Sequence, residues 1–121
     1  MVSSFSVIQK NKHLVMTIRG TYDYWEFLEL PHHILQECED HQCYKILVDL
    51  NPVIAKDIAL IELFFLGEKI AEVLGKTVMI ALVWKSESLS DFLVDVATNR
   101  SARLKVFATN KRAQYWLLNE Y

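Results

Sequence analysis

Two runs, residues 45–50 (Lys-Ile-Leu-Val-Asp-Leu) and 77–84 (Thr-Val-Met-Ile-Ala-Leu-Val-Trp), are apolar at nearly every position. Strands that face water on one side alternate apolar and polar residues. A continuous run is the mark of a strand covered on both faces, as in parallel sheets layered by helices. Both runs are followed by segments of helical period, at 57–74 and 88–99. Alternating strands and helices imply a largely parallel sheet with helical cover. Upstream, residues 5–9 and 13–18 are short apolar and β-branched runs joined by Lys10-Asn11-Lys12, which reads as an antiparallel hairpin ended by Gly20. Leu104, Val106 and Phe107 mark a last strand, and Thr109 or Asn110 caps a last helix that carries Ala113, Trp116 and Leu117.

The expected order is therefore β-β-α-β-α-β-α-β-α, an α/β fold of about five strands and four helices in one domain over residues 1–121. Pro31 interrupts the helical stretch 24–38, so a short turn followed by a second helix starting at Pro31 is expected there. Asp57 is placed as the N-cap of the next helix and Gly75 just past its end. Ser88 to Asp91 has the spacing of a capping box, and Asn99 is placed as a C-terminal cap, with Arg100 against the helix dipole.

Thirteen Lys and Arg against fifteen Asp and Glu leave a formal charge of −2, which does not suit a protein devoted to phosphate backbones. With 52% apolar and 23% charged residues the chain has ample surface to bury, so disorder is excluded. No basic and apolar leader opens the chain, and its most apolar stretch, 58–74, is broken by Glu62, Glu68, Lys69 and Glu72. A cytoplasmic protein with no membrane span is expected, with Cys38 and Cys43 as free thiols.

Few residues suggest chemistry. The three glycines, Gly20, Gly67 and Gly75, form no phosphate-binding loop, so no nucleotide cofactor is expected. His32, His33, Cys38, His41 and Cys43 are metal-ligand types, but their spacing fits no standard zinc pattern, and Cys38 shares the apolar stripe of Ile34 and Leu35. No metal is assigned. Helix capping accounts for Ser86, Ser88 and Ser90, and no histidine follows His41 to serve a nucleophile. His41 and Cys43 are two positions apart near a helix end, a poor geometry for a thiol–imidazole pair. Asp49, inside a buried strand, needs a partner; tying down the next loop is the favoured use, a functional acid at a strand's end the other. The expectation is a protein that is not an enzyme.

One feature stands apart. At about 100° per residue, Leu60, Leu63, Phe64, Gly67, Ile70, Ala71 and Leu74 form the core stripe of the helix at 57–74. Ile58, Ile61 and Phe65 fall on the opposite face, which turns charged only further along at Lys69 and Glu72. An apolar outer face needs a cover. That cover is a protein partner, a second copy in a homodimer or an apolar ligand; otherwise the loop 51–56 or the N-terminal hairpin folds over it. Burying three such side chains contributes ~5–8 kcal/mol gross. Ile58, Ile61 and Phe65, with Asp57 at the rim, are the candidate contact residues.

Five segments in order resemble the SpoIIAA-like branch of the STAS domain family. They are Leu47-Val48-Asp49-Leu50; Leu66-Gly67-Glu68 with Ala71; Ala97-Thr98-Asn99-Arg100; Val106-Phe107; and Ala113-Gln114-Tyr115-Trp116-Leu117. They span almost the whole chain, and the Asn99-Arg100 pair and the Trp116-Leu117 ending are the most telling. The resemblance implies a STAS-type mixed sheet with helices, a bacterial cytoplasmic setting and a non-catalytic role. Anti-sigma factor antagonists of that family bind a kinase-like partner and are switched by serine phosphorylation at the start of the helix after the third strand. The matching start here is Asp57-Ile58-Ala59, with Ile58 at the hydroxyl position, so a phosphate switch is absent there. A different expectation comes from the kinship of such folds with lipid-carrier domains: a small apolar ligand or lipid lodged among Trp25, Phe27, Trp84 and Phe92.

Overall fold

The structure, a computed structural model, describes residues 4–55, 58–85 and 87–119. Chain order is β1 (Ser4–Gln9), β2 (Leu14–Thr21), α1 (Tyr24–His41), β3 (Lys45–Asp49), β4 (Val53–Ile54), α2 (Leu60–Leu74), β5 (Met79–Val83), α3 (Glu87–Thr98), β6 (Arg103–Phe107) and α4 (Asn110–Asn119). The sheet runs β1-β2-β3-β5-β6. Among the described strands only the β1–β2 hairpin is antiparallel; β2–β3, β3–β5 and β5–β6 are parallel. The expected mixed α/β architecture and four helices are observed, with one strand more than expected.

The extra strand arises at Gly20. Far from ending β2, Gly20 lies within it at φ 117°, a left-handed value open to glycine. Before it, Leu14 to Thr17 pair with β3; after it, Gly20 and Thr21 pair with β4. The chain leaves β3 at Asp49, turns through residues 50–52, and rejoins the same neighbour at Val53. Asp49 holds that turn: its Oδ1 accepts the N–H of Asn51 at 3.0 Å. The favoured use of Asp49, restraint of the next loop, is the one observed.

The two faces of the sheet are covered unequally. Ile46, Val48, Ile80, Leu82 and Leu104 point to the large core under α1, α2 and α3. Leu47, Met79, Ala81 and Val83 point the other way, where, among the described helices, only α4 covers them, with Ala113 and Leu117. Lys45 donates from Nζ to the carbonyl of Leu117 at 2.8 Å, fastening α4 to β3. On this face His13 is buried, and burial above all, with Lys10 next, holds its pKa below the ordinary value.

Several helix ends differ from expectation. Pro31 lies inside a continuous α1. A proline in a helix interior costs ~3 kcal/mol or more, but this ring is buried on the same stripe as Phe27, Ile34 and Cys38, and that packing offsets the lost hydrogen bond. The α1 N-cap is Asp23, whose Oδ1 accepts the N–H of Glu26 at 3.1 Å. α2 is capped at Ala59, with no side-chain hydrogen bond, so Asp57 is not its N-cap; Asp57 itself lies outside the described residues. Gly75 ends α2 at φ 49°, as expected. α3 already includes Glu87, so Ser88 is inside the helix and not its cap. Ser86 lies outside the described residues. Thr109 caps α4, its Oγ1 accepting the N–H of Arg112 at 3.3 Å.

The C-terminus of α3 corrects the assignment of Asn99. Ser101 N–H donates to Thr98 O at 3.0 Å and Ala102 N–H to Ala97 O at 3.1 Å, with Ser101 at φ 76°. This is the Schellman pattern, and Ser101, not Asn99, occupies its left-handed position. α1 ends the same way, with Gln42 N–H to Glu39 O, Cys43 N–H to Cys38 O and Gln42 at φ 53°. An L-residue in that conformation costs ~1–2 kcal/mol, which glycine avoids at some entropic cost. Ser101→Gly and Gln42→Gly are each expected to raise unfolding stability by about 0.5–1 kcal/mol in urea titrations. The two sites belong to different helices, so the gains add. A loss of stability in either variant contradicts the cap assignment.

Candidate functional site

The start of α2 is positioned by the β2–β4 corner. Tyr22 N–H donates to Ile54 O at 2.8 Å, and Val53 N–H to Leu50 O at 3.0 Å. The Tyr22 hydroxyl reaches forward to Glu62 Oε1 at 3.0 Å, tying the end of β2 to the first turn of α2. Burial, then the bond to Glu62, pushes the Tyr22 pKa well above the ordinary tyrosine range, so it remains a neutral donor. On the far side Arg100 holds α2 to α3. Its guanidinium lies 5.2 Å from the Phe64 ring centroid, 3.3 Å from Glu68 Oε2 and 3.4 Å from the carbonyl of Val96. The contact with a last-turn carbonyl is the one expected of Arg100; the hold on α2 was not foreseen.

On this frame the outward face of α2 is apolar. Ile61 is 59% exposed and Phe65 45% exposed. Ile58 is half-buried and packs against the core, so it borders the surface without forming its centre. Leu60, expected in the core stripe, is 57% exposed. It is the first residue of the helix, one turn before Leu63 enters the core, so the stripe has not yet reached cover. Ile54 on β4 is also exposed, as is Trp25 at 73%. Trp25 and Phe65 face a shared groove of about 430 Å³ between α1 and α2, with Tyr24 and Leu28 in its wall. Sequence periodicity found Ile61 and Phe65. It missed Leu60, Ile54 and Trp25 as surface residues, since these come from a helix start, a two-residue strand and the outer side of a different helix.

A ligand chamber is a poor fit to the interior. The space under α1, α2 and α3 is about 50 Å³ and wholly apolar. Ligand pockets run to ~300–1,000 Å³. Of the four residues proposed to line a chamber, only Phe27 borders this space, beside Ile34, Leu66 and Leu93. Trp84 is buried and Phe92 half-buried in the packed core.

The thiols and imidazoles do not combine. His41 places Nε2 3.4 Å from Glu37 and Nδ1 3.2 Å from Gln9, whereas Cys43 Sγ lies near the carbonyls of Lys12 and Lys45. Cys38 is fully buried, and burial, with Cys43 and the nearby Glu37 and Glu39, pushes its thiol up to about 12. His32 and His33 are exposed on α1. Among the described residues no three His, Cys, Asp or Glu side chains converge on a metal-sized site, and no helix is long and apolar enough to cross a membrane.

A crystal structure of an anti-sigma factor antagonist from Mycobacterium paratuberculosis superposes on this chain with a TM-score of 0.65 at 17% identity, covering 98% of this chain and 96% of that one. An uncharacterised DUF3478-family protein with a SpoIIAA-like fold from Shewanella loihica PV-4 superposes with a TM-score of 0.58 at 16% identity, covering 95% and 93%. The fold is SpoIIAA-like. The likeness extends over nearly the full length of each chain. No protein-family model and no curated sequence matches the chain. Within this SpoIIAA-like frame the exposed apolar face lies on the first turns of α2, at Leu60, Ile61 and Phe65.

Proposed function

We propose that the protein is a non-catalytic regulatory module that binds another protein through the start of α2. The exposed apolar face of that helix carries the reading. Ile61 and Phe65 are its centre, Ile58 its border, and Leu60, Ile54 and Trp25 add exposed apolar surface around it; Asp57, the expected rim residue, lies outside the described residues. Exposed apolar groups of this size on a packed frame are what a docking partner desolvates. The likeness to an anti-sigma factor antagonist supports the same role. Serine phosphorylation at the helix start is not part of it, because residues 57–59 read Asp-Ile-Ala and leave no hydroxyl to modify. The setting that accompanies this reading is the bacterial cytoplasm, and no cofactor takes part.

Phe65→Glu and Ile61→Asp test it. Both side chains project outward, so the variants are expected to fold with near-native melting. In pull-downs from the native host, wild type is expected to retain a partner that Phe65→Glu releases. Against the purified partner the variant binds more weakly by about 2 kcal/mol or more, roughly 30-fold. Sedimentation of wild type alone separates a second copy from a different protein: a dimer that Phe65→Glu dissolves makes the partner the chain itself. Equal capture by wild type and both variants would remove α2 as the contact surface.

A further inference from the structure

A second surface lies on the α4 side of the sheet, away from α2. A groove of about 1,030 Å³ runs between β6 and α4. Among the described residues its charged lining is Lys105, Lys111 and Arg112, with no carboxylate. Trp116 rests against Phe107 at 5.7 Å between centroids, and Tyr115 stands 71% exposed above them. In a chain of net charge −2, three cations around exposed aromatic surface, with no carboxylate among the described lining residues, are a local inversion.

β6 is also the end strand of the sheet, paired on one side with β5 and on the other with no described strand. Trp84 N–H donates to Phe107 O, so the peptide group of Phe107 faces β5. Strand alternation then turns the N–H and C=O groups of Leu104 and Val106 outward. A row of such groups is a template for an added strand.

We propose that this edge takes an extended acidic peptide from another protein by strand addition. The peptide backbone pairs with Leu104 and Val106, and its carboxylates, at alternate positions, meet Lys105, Lys111 and Arg112. Charge selects this occupant. A second copy pairing edge to edge would bring Arg103 and Lys105 of one copy beside the same cations of the other. A nucleic acid would match the cations but would leave the outward amides and carbonyls without a complementary ladder. The inference stands on observations separate from those at α2.

The test selects peptides from a random dodecapeptide display library on wild-type protein, with counter-selection on the Lys105→Glu, Lys111→Glu, Arg112→Glu triple variant. All three positions are exposed, so the variant is expected to fold, which its circular dichroism checks. Selected sequences are expected to be acidic at alternate positions and to bind the triple variant at least ~10-fold more weakly in anisotropy titrations. N-methylation of alternate peptide nitrogens should abolish binding in one register and spare it in the other. The amide resonances of Leu104 and Val106 should shift on binding. The proposal is overturned if no peptide is selected or if the selected peptides are not acidic. Equal binding to the triple variant, tolerance of both methylation registers, tighter binding of a single-stranded oligonucleotide, or dimerisation of the free protein through β6 each overturn it as well.

Discussion

Gly67→Ala is expected to destabilise the protein by about 1–2 kcal/mol, although alanine is the better helix former. Inside a helix the exchange by itself stabilises by ~1 kcal/mol. Here a Cβ on residue 67 would lie 2.8 Å from both Cβ and Cγ1 of Val96 and 3.3 Å from the backbone nitrogen of Ala97. These are rigid atoms of α3, so relief requires the two helices to separate. Overpacking of this kind costs ~1–3 kcal/mol and outweighs the propensity gain. Gly67→Val adds two methyl groups at the same point, and a loss of 3 kcal/mol or more is expected. Urea titration measures both. Val96→Ala in the Gly67→Ala background removes Cγ1 but retains Cβ, so it should recover part of the loss and give a non-additive cycle. A Gly67→Ala protein as stable as wild type would mean that α2 and α3 are not pinned at this contact.

The second large effect is alkaline. The folded pKa of Cys38 is raised to about 12 from an ordinary 9.0, chiefly by burial. Below pH 9 the thiol is neutral in both states and its full contribution is present. Above pH 9 the unfolded chain releases the proton while the folded chain retains it, so stability falls as pH rises. The limiting slope is ~1.4 kcal/mol per pH unit, which gives a loss of about 3 kcal/mol by pH 11 from this one group. Cys38→Ala should be slightly less stable than wild type at pH 7, since a buried sulfur is lost, and should lack this part of the alkaline fall. The difference between the two stability curves from pH 8 to 11 isolates the thiol from other titrating groups. Parallel curves would show that Cys38 is not sealed in the core.

The parts of the fold that follow from burial on both sides of a strand were legible from residue order alone. The segments of β3 and β5 have no other use for six or eight nearly unbroken apolar residues, and their parallel pairing followed. Local rules failed where packing or chain geometry overrode them. Pro31 fits within α1 because its ring is buried with Ile34 and Cys38. Ser101, a residue with no left-handed preference, closes α3 because the chain must turn into β6 there. The candidate surface was half legible for the same reason. Ile61 and Phe65 share one helical period, whereas Trp25 joins Phe65 only because α1 packs beside α2. The groove at β6 could not be read at all, since its cations come from a strand and a helix that fold back on each other.

The single helix over one side of the sheet carries a consequence for synthesis. α4 is translated after every strand it shelters. A nascent chain therefore completes β3 and β5 while Leu47, Met79, Ala81 and Val83 are still bare on that side, awaiting Ala113 and Leu117. During that interval the growing polypeptide shows a sticky plane to whatever is near the ribosome exit, and the bond from Lys45 to Leu117 is the latch that ends its exposure.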